Sequence, residues 1–276
     1  MTTEAGCHSA SASCSRSERS AGLSLVVLTY PCEAASLLLE HLAVAGLDVR
    51  AVVLERRGAL NKLHRVRRVV GWRGTACLGF RKVAALLGMS RRERWRSDDF
   101  YRQHAGELVV VDDLNSSESY DALRRLGPDV AIIGGAGPLQ QHVFGVPRFG
   151  TLNMHPGLLP EYRGLSSVWW AVLEGGEVGA TLHVVDEGID TGPIVARRSV
   201  PVLPGDTFER LRGRIIEANL AMLVDALGSL THAGHRVATP QPCGTGRLYH
   251  AIPSAKRRAA EDRLAAIAAR AVPGKG

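Results

Sequence analysis

Gly150-Thr151-Leu152-Asn153-Met154-His155-Pro156-Gly157-Leu158-Leu159-Pro160-Glu161-Tyr162-Arg163-Gly164 reads as a short apolar strand that runs into a loop punctuated by proline and glycine. Asn153 and His155 are two apart, so an extended backbone points both side chains to the same side. Pro156 lacks an N–H and disfavours helix at the residue before it. The strand is therefore expected to stop at His155 and to leave an amide and an imidazole at its C-terminal edge. In open α/β sheets that edge is where ligands bind. An amide donor beside a titratable ring suits stabilisation of an oxyanion formed as a nucleophile adds to a carbonyl.

Working outward, the flanking sequence alternates strands and helices. Leu23 to Thr29 reads as a buried strand, residues 33–45 as a helix with Gly46 as its C-cap, and Val49 to Leu54 as a second strand. Leu108 to Val111 and Val130 to Ile133 are further strands, with a helix at Ser117–Leu126 between them and a short helix from Gln140. This spacing predicts an α/β fold with a doubly wound, Rossmann-like, mostly parallel sheet. Asp206 with Glu209 reads as a capping box opening a helix that runs to about Leu230, whose apolar stripe is core packing. Residues 234–250 are expected to cross the edge of the sheet, and residues 255–270 to form an exposed terminal helix.

A second polar segment lies downstream. Residues 179–185 read as a strand, and Asp186-Glu187-Gly188-Ile189-Asp190-Thr191-Gly192 as an acidic, glycine-bracketed loop. From it, Asp190 is expected to reach the His155 ring, orient it and keep it protonated near neutral pH. His183, inside the apolar strand, reads as a hydrogen-bonded interior histidine. Gly134-Gly135-Ala136-Gly137-Pro138-Leu139 makes a tight strand-to-helix turn; it is not Gly-x-Gly-x-x-Gly, which argues against a nicotinamide dinucleotide site.

The Asn-x-His-Pro-x-Leu-Leu-Pro run followed by Asp-Glu-Gly-x-Asp-Thr-Gly resembles the folate-dependent formyltransferase family, strongly over residues 128–200 and weakly before residue 107. The resemblance implies catalytic roles for Asn153, His155 and Asp190, and His183 also falls on a family position. It implies that 10-formyltetrahydrofolate, the formyl donor, is held by Gly135, Ala136, Gly137, Pro138 and Leu139 and by Asp186, Glu187, Gly188 and Ile189. Leu158, Pro160, Tyr162 and Arg163 are expected to contact the acceptor, with Tyr162 and Arg163 near the mouth of the pocket. Gly137-Pro138 stands where the family often has Arg-Ile, a departure that bears on how the pterin is contacted. No metal is expected, because the histidines lack ligand spacing.

The chain has 276 residues, 45% hydrophobic and 22% charged, ordinary proportions for a globular protein. The five cysteines are scattered without metal-type spacing, and the first 22 residues lack the apolar core of a secretory signal, so a reducing cytoplasm is the expected setting. The division expected is a tail at 1–22, a catalytic domain at 23–232 with a basic helical insertion at 56–106, and a C-terminal extension at 233–276. Residues 56–97 hold 13 Lys/Arg against the single acid Glu93, a local charge of +12 within a chain of net +7. Leu60, Leu63, Val66, Val69 and Val70 recur there at near-helical spacing, which fits an amphipathic helix with a solvated basic face; a surface for a polyanion is the second reading.

The function expected is formyl transfer to a primary amine of a small acceptor: an amino sugar, an amino acid or a specialised metabolite, phosphorylated, nucleotide-linked or carrier-bound. A methionyl-tRNA acceptor is disfavoured because only 75 residues follow Pro201, and nucleic acid is not the expected partner. Hydrolysis of the same formyl folate, and folate binding without turnover, are the remaining alternatives.

Overall fold

The computed structural model describes residues 22–56, 97–233, 237–242 and 244–271. The amphipathic-helix expectation for Leu60 to Val70, and most of the basic segment, lie outside the described residues.

β1 (Leu25–Thr29) is buried along its whole length, as expected of a strand covered on both faces. α1 (Glu33–Val44) follows, then β2 (Val49–Glu55). α2 (Asp98–His104) runs directly into β3 (Ala105–Val111), which begins three residues before the apolar run Leu108–Val111. α3 (Ser117–Leu126) starts where the Ser116 hydroxyl accepts from the Ser119 N–H. β4 (Val130–Gly135), α4 (Gln141–Phe144) and β5 (Thr151–His155) complete the parallel part of the sheet. β6 (Tyr162–Gly164), α5 (Ser167–Glu174), β7 (Gly179–Val184), β8 (Ile194–Ser199), α6 (Phe208–Ala233), β9 (Arg247–Tyr249) and α7 (Ser254–Arg270) follow.

The main sheet has the order β3-β2-β1-β4-β5-β7-β8. Strands β1 to β5 pair in parallel, whereas β7 runs antiparallel to both β5 and β8. The sheet is therefore mostly parallel, an α/β fold of the expected class. One core lies on the face packed by α1 and α6, where Leu152 and Leu182 join Leu38, Leu42, Ile215 and Leu223. A smaller one holds Val26, Leu28, Ala131 and Leu123 on the other face.

The structure differs from expectation at several points. Asp206 does not cap α6: its carboxylate pairs with Arg214 and accepts from the Leu203 N–H, and the Thr207 hydroxyl accepts from the Arg210 N–H instead. A bidentate guanidinium outcompetes a backbone amide for a carboxylate. α7 is not a free helix, because Ala260, Leu264 and Ala268 are buried; Lys256 lies over the Trp170 ring and Arg257 over the Trp169 ring of α5. The strands β6 and β9, three residues each and parallel, were too short to read from periodicity.

Candidate active site

β5 and β7 carry the site. Their antiparallel register sets Asn153 opposite His183 and His155 opposite Thr181, so these four side chains share one sheet face. Leu152, Met154, Leu182 and Val184 alternate with them and pack toward the α1/α6 core. The expected same-side placement of Asn153 and His155 thus holds, but on a sheet face under the loops, rather than only at the strand's C-terminal edge.

Asp190 comes down onto this face from the loop between β7 and β8. One carboxylate oxygen, Oδ2, lies 3.4 Å from His155 Nδ1, and the other, Oδ1, 3.5 Å from His183 Nε2. The Asn153 amide donates to Asp190 Oδ1 at 3.5 Å and approaches His183 Nε2 at 3.0 Å. The Gly164 N–H donates to Asp190 Oδ2 at 2.7 Å. Gly164 has φ +90, and a Cβ there would run into the Tyr249 carbonyl, so only glycine brings this amide to the carboxylate.

The hydrogen-bond partners assign the ring tautomers. Tyr162 O lies 2.7 Å from His155 Nε2 and, as a carbonyl, only accepts, so Nε2 carries a hydrogen and Nδ1 is the position that titrates. Val184 O lies 2.8 Å from His183 Nδ1 in the same relation, which turns His183 Nε2 toward the Asn153 amide and the Asp190 carboxylate. Turning the Asn153 amide over would set its oxygen against the Asp190 carboxylate, so the nitrogen faces it.

His155 is 3% exposed, and burial pushes its pKa below the ordinary imidazole range; the Asp190 charge pulls the other way and does not offset it. The expectation that Asp190 keeps this ring protonated at neutral pH is thereby corrected: desolvation prevails and the ring is neutral. Burial also works against ionisation of Asp190. The His183 ring and the Gly164 N–H, hydrogen-bonded to it, outweigh this, and the carboxyl stays below its usual range. The centre is thus a held carboxylate beside a neutral ring whose two nitrogens face a carbonyl and that carboxylate.

The other expected residues divide. Asp186 organises its own loop, accepting from the Gly188 N–H at 3.1 Å and the Thr191 hydroxyl at 2.7 Å, while Glu187 is exposed and Ile189 is 40% exposed. Ile133 pairs with Asn153, so Gly135 leaves β4 level with His155. Beyond it Ala136 and Gly137 are half-buried, Pro138 O accepts from the Asn115 amide, and Leu139 is buried. Leu158 is buried against Gly179, and Tyr162 is buried and stacked on Tyr249. The pocket-mouth position expected for Tyr162 is therefore corrected: an aromatic ring with another ring to stack on goes inward, and its carbonyl is what reaches the site. Pro160 and Arg163 are half-buried, and the Arg163 Nε is buried with no hydrogen-bond partner.

His183, on a family position and expected to be a hydrogen-bonded interior histidine, is buried and bonded as expected, and the β5–β7 register also brings it into the cluster. Sequence reasoning missed three contributors. Gly164 supplies an amide, Asn219 of α6 donates to His155 O at 3.2 Å, and Gln241 donates to the carbonyls of Asp190 and Gly192. None of these carries a local sequence signal.

A formyl transferase family profile matches residues 71–227. Methionyl-tRNA formyltransferase of Thermotoga maritima is 37% identical over 131 residues, which cover 46% of this chain and 42% of that protein. The enzyme of the same name from Aromatoleum aromaticum is 39% identical over 131 residues, 47% of this chain and 41% of that one. The chain thus aligns with less than half the length of these curated relatives. Among solved structures, a sugar N-formyltransferase from a Shewanella species superposes with a TM-score of 0.54 at 15% identity, covering 87% of each chain. Glycinamide ribonucleotide transformylase 1 from Symbiobacterium toebii superposes with a TM-score of 0.54 at 21% identity, over 82% of this chain and 100% of that one. These likenesses establish the shared fold, and the profile match, which spans more than half of the sequence, establishes that the chain belongs to the formyl transferase family.

Proposed function

We propose that this chain transfers a formyl group from 10-formyltetrahydrofolate to a primary amine of a small acceptor. The observation that carries the reading is the Asp190 carboxylate, ionised and within 3.5 Å of the Asn153 amide and of two imidazole rings on a face roofed by loops. An attacking amine must lose a proton as it adds to a carbonyl carbon, and an ionised carboxylate beside a neutral ring accepts and passes it on. The Asn153 amide hydrogens, directed at His183 Nε2 and Asp190 Oδ1, are the donors that turn toward negative charge developing on an oxygen. His155, tied at Nε2 to the Tyr162 carbonyl, has a fixed ring plane and a fixed titrating nitrogen.

Ala136, Gly137 and Pro138, leaving β4 level with the site, and the loop 186–189 with its exposed Ile189 would hold the donor; an exposed apolar side chain on a loop fits a flat heterocycle. When bound, the donor supplies an electrophilic one-carbon carbonyl. Leu158 shapes the floor from within the core, and Pro160 and Arg163 border it; the half-buried Arg163 guanidinium would meet an anionic group on the acceptor. A second reading, a methionyl-tRNA acceptor, is favoured by the sequence relatives.

A panel of amines distinguishes them: nucleotide-linked amino sugars, free amino acids, glycinamide ribonucleotide and methionyl-tRNA, each mixed with 10-formyltetrahydrofolate while tetrahydrofolate is measured. Turnover that depends on a small amine is expected, with Asn153→Ala lowering kcat by ~10²–10³. Turnover with methionyl-tRNA alone selects the second reading. Formate release without acceptor, or saturable binding without turnover, contradicts both.

A further inference from the structure

We propose that Gln241 is a positioning residue for Asp190, its side-chain amide holding the backbone turn that aims the carboxylate at Asn153, His155 and His183. The inference rests on the reading of Asp190 as the group that takes the proton. Asp190 has φ +53, a left-handed conformation that persists in a non-glycine residue only where its surroundings hold it. Gln241 Nε2 provides that hold, donating to Asp190 O at 3.1 Å and to Gly192 O at 2.7 Å. Both partners are carbonyls, so the amide nitrogen is the atom that faces them.

The route by which Gln241 arrives is itself ordered. Thr239 and Ile194 exchange both backbone hydrogen bonds at 2.8 Å, an antiparallel bridge on β8. Two residues after Thr239 and two before Ile194, this antiparallel register sets Gln241 opposite Gly192. Gly192 is pressed against the Val184 carbonyl where a Cβ would collide, so the turn has no room to shift on that side. The same C-terminal stretch also supports the carboxylate end: β9 pairs with β6, and β6 delivers the Gly164 N–H to Asp190 Oδ2. Asp190 is thus gripped at its backbone by Gln241 and at its side chain by Gly164, both dependent on residues that follow α6.

The test uses the full chain with Gln241→Met, which keeps length and removes both donors; Gln241→Glu, which sets oxygen against two carbonyls; and Asp190→Asn. The first readout needs no substrate: a ¹⁵N NMR titration of the His155 ring, faced by Asp190, by His183 and by the Tyr162 carbonyl. The second is kcat against KM with the acceptor identified in the amine panel. We expect Gln241→Met to shift the His155 titration to lower pH, in the direction of Asp190→Asn and by less. We expect kcat to fall about tenfold to a hundredfold, the usual result of misplacing a catalytic group by about 1 Å, with KM for the donor little changed. Gln241→Glu should do more. Should Gln241→Met fail to fold, Gln241→Asn, which keeps the donors but withdraws them by one carbon, reads the same titration. A wild-type ring titration and kcat in the folded variant would overturn the proposal, as would a lowered melting temperature with both unchanged. Full turnover in Asp190→Asn would instead refute the underlying reading, and the titration alone would then judge Gln241.

Discussion

β5 and β7 present two opposite surfaces from the same few residues. On one, Leu152, Met154, Leu182 and Val184 pack into the core beneath α1 and α6. On the other, Asn153, His155, Thr181 and His183 lie beneath loops. A helix uses up its own backbone hydrogen bonds, so a strand face beneath one must be apolar. Loops leave their donors and acceptors open. Tyr162 O takes the His155 N–H, Gly157 O the Thr181 hydroxyl, and the Leu159 N–H binds that hydroxyl in turn. Polar side chains are tolerated on this face because the covering loops offer them hydrogen-bond partners. The period of two in a strand thereby separates the packed core from the candidate site, one residue apart.

That separation can be broken from the stable side first. Leu182→Ala should destabilise the protein by about 2–5 kcal/mol, seen as a lower urea midpoint, while kcat per folded molecule stays near wild type. A large fall in kcat at unchanged stability would show that the two faces are coupled. The loop-covered face offers a smaller, pH-dependent effect. Burial holds the His155 pKa below its unfolded value near 6.5, so the folded state resists protonating the ring. The stability that goes with the neutral ring is fully present above pH 6.5 and is lost as pH falls from there toward the folded pKa. Asp190 adds a second loss only in more acid solution, below the usual carboxylate value of 3.8. Urea midpoints measured at pH 7.5 and 5.0 should therefore fall further in wild type than in His155→Gln. Equal falls would contradict a buried neutral ring.

The legible parts of this molecule were those with a local period or a local break. The buried strands β1, β2 and β4 followed from apolar runs bounded by turns, and the Asn153/His155 pair from spacing and Pro156. Asp190 stood out between glycines, and the family resemblance gave it a partner. What escaped reading depends on which residues meet across space. His183 fell on a family position yet read as an interior strand residue, and only the register set it opposite Asn153. Tyr162 looked like a rim residue, yet Tyr249, 87 positions later, offers it a ring to stack on. The charge state of His155 turned on a competition between burial and one carboxylate, whose outcome depends on exposure, a property of the fold. Gln241 sits in a stretch whose only sequence signals are prolines and glycines.

In the function proposed, the formyl group changes hands on the loop-covered face, with Asp190 as the proton acceptor. Single-turnover transfer by Asp190→Asn, compared with wild type at matched folding, is the most direct measurement. The carboxamide keeps the size of the side chain and removes its charge, so a fall of ~10²–10⁴ in rate is expected with an unchanged superposition of β5 and β7. Transfer at the wild-type rate from a folded Asp190→Asn protein would place the chemistry elsewhere.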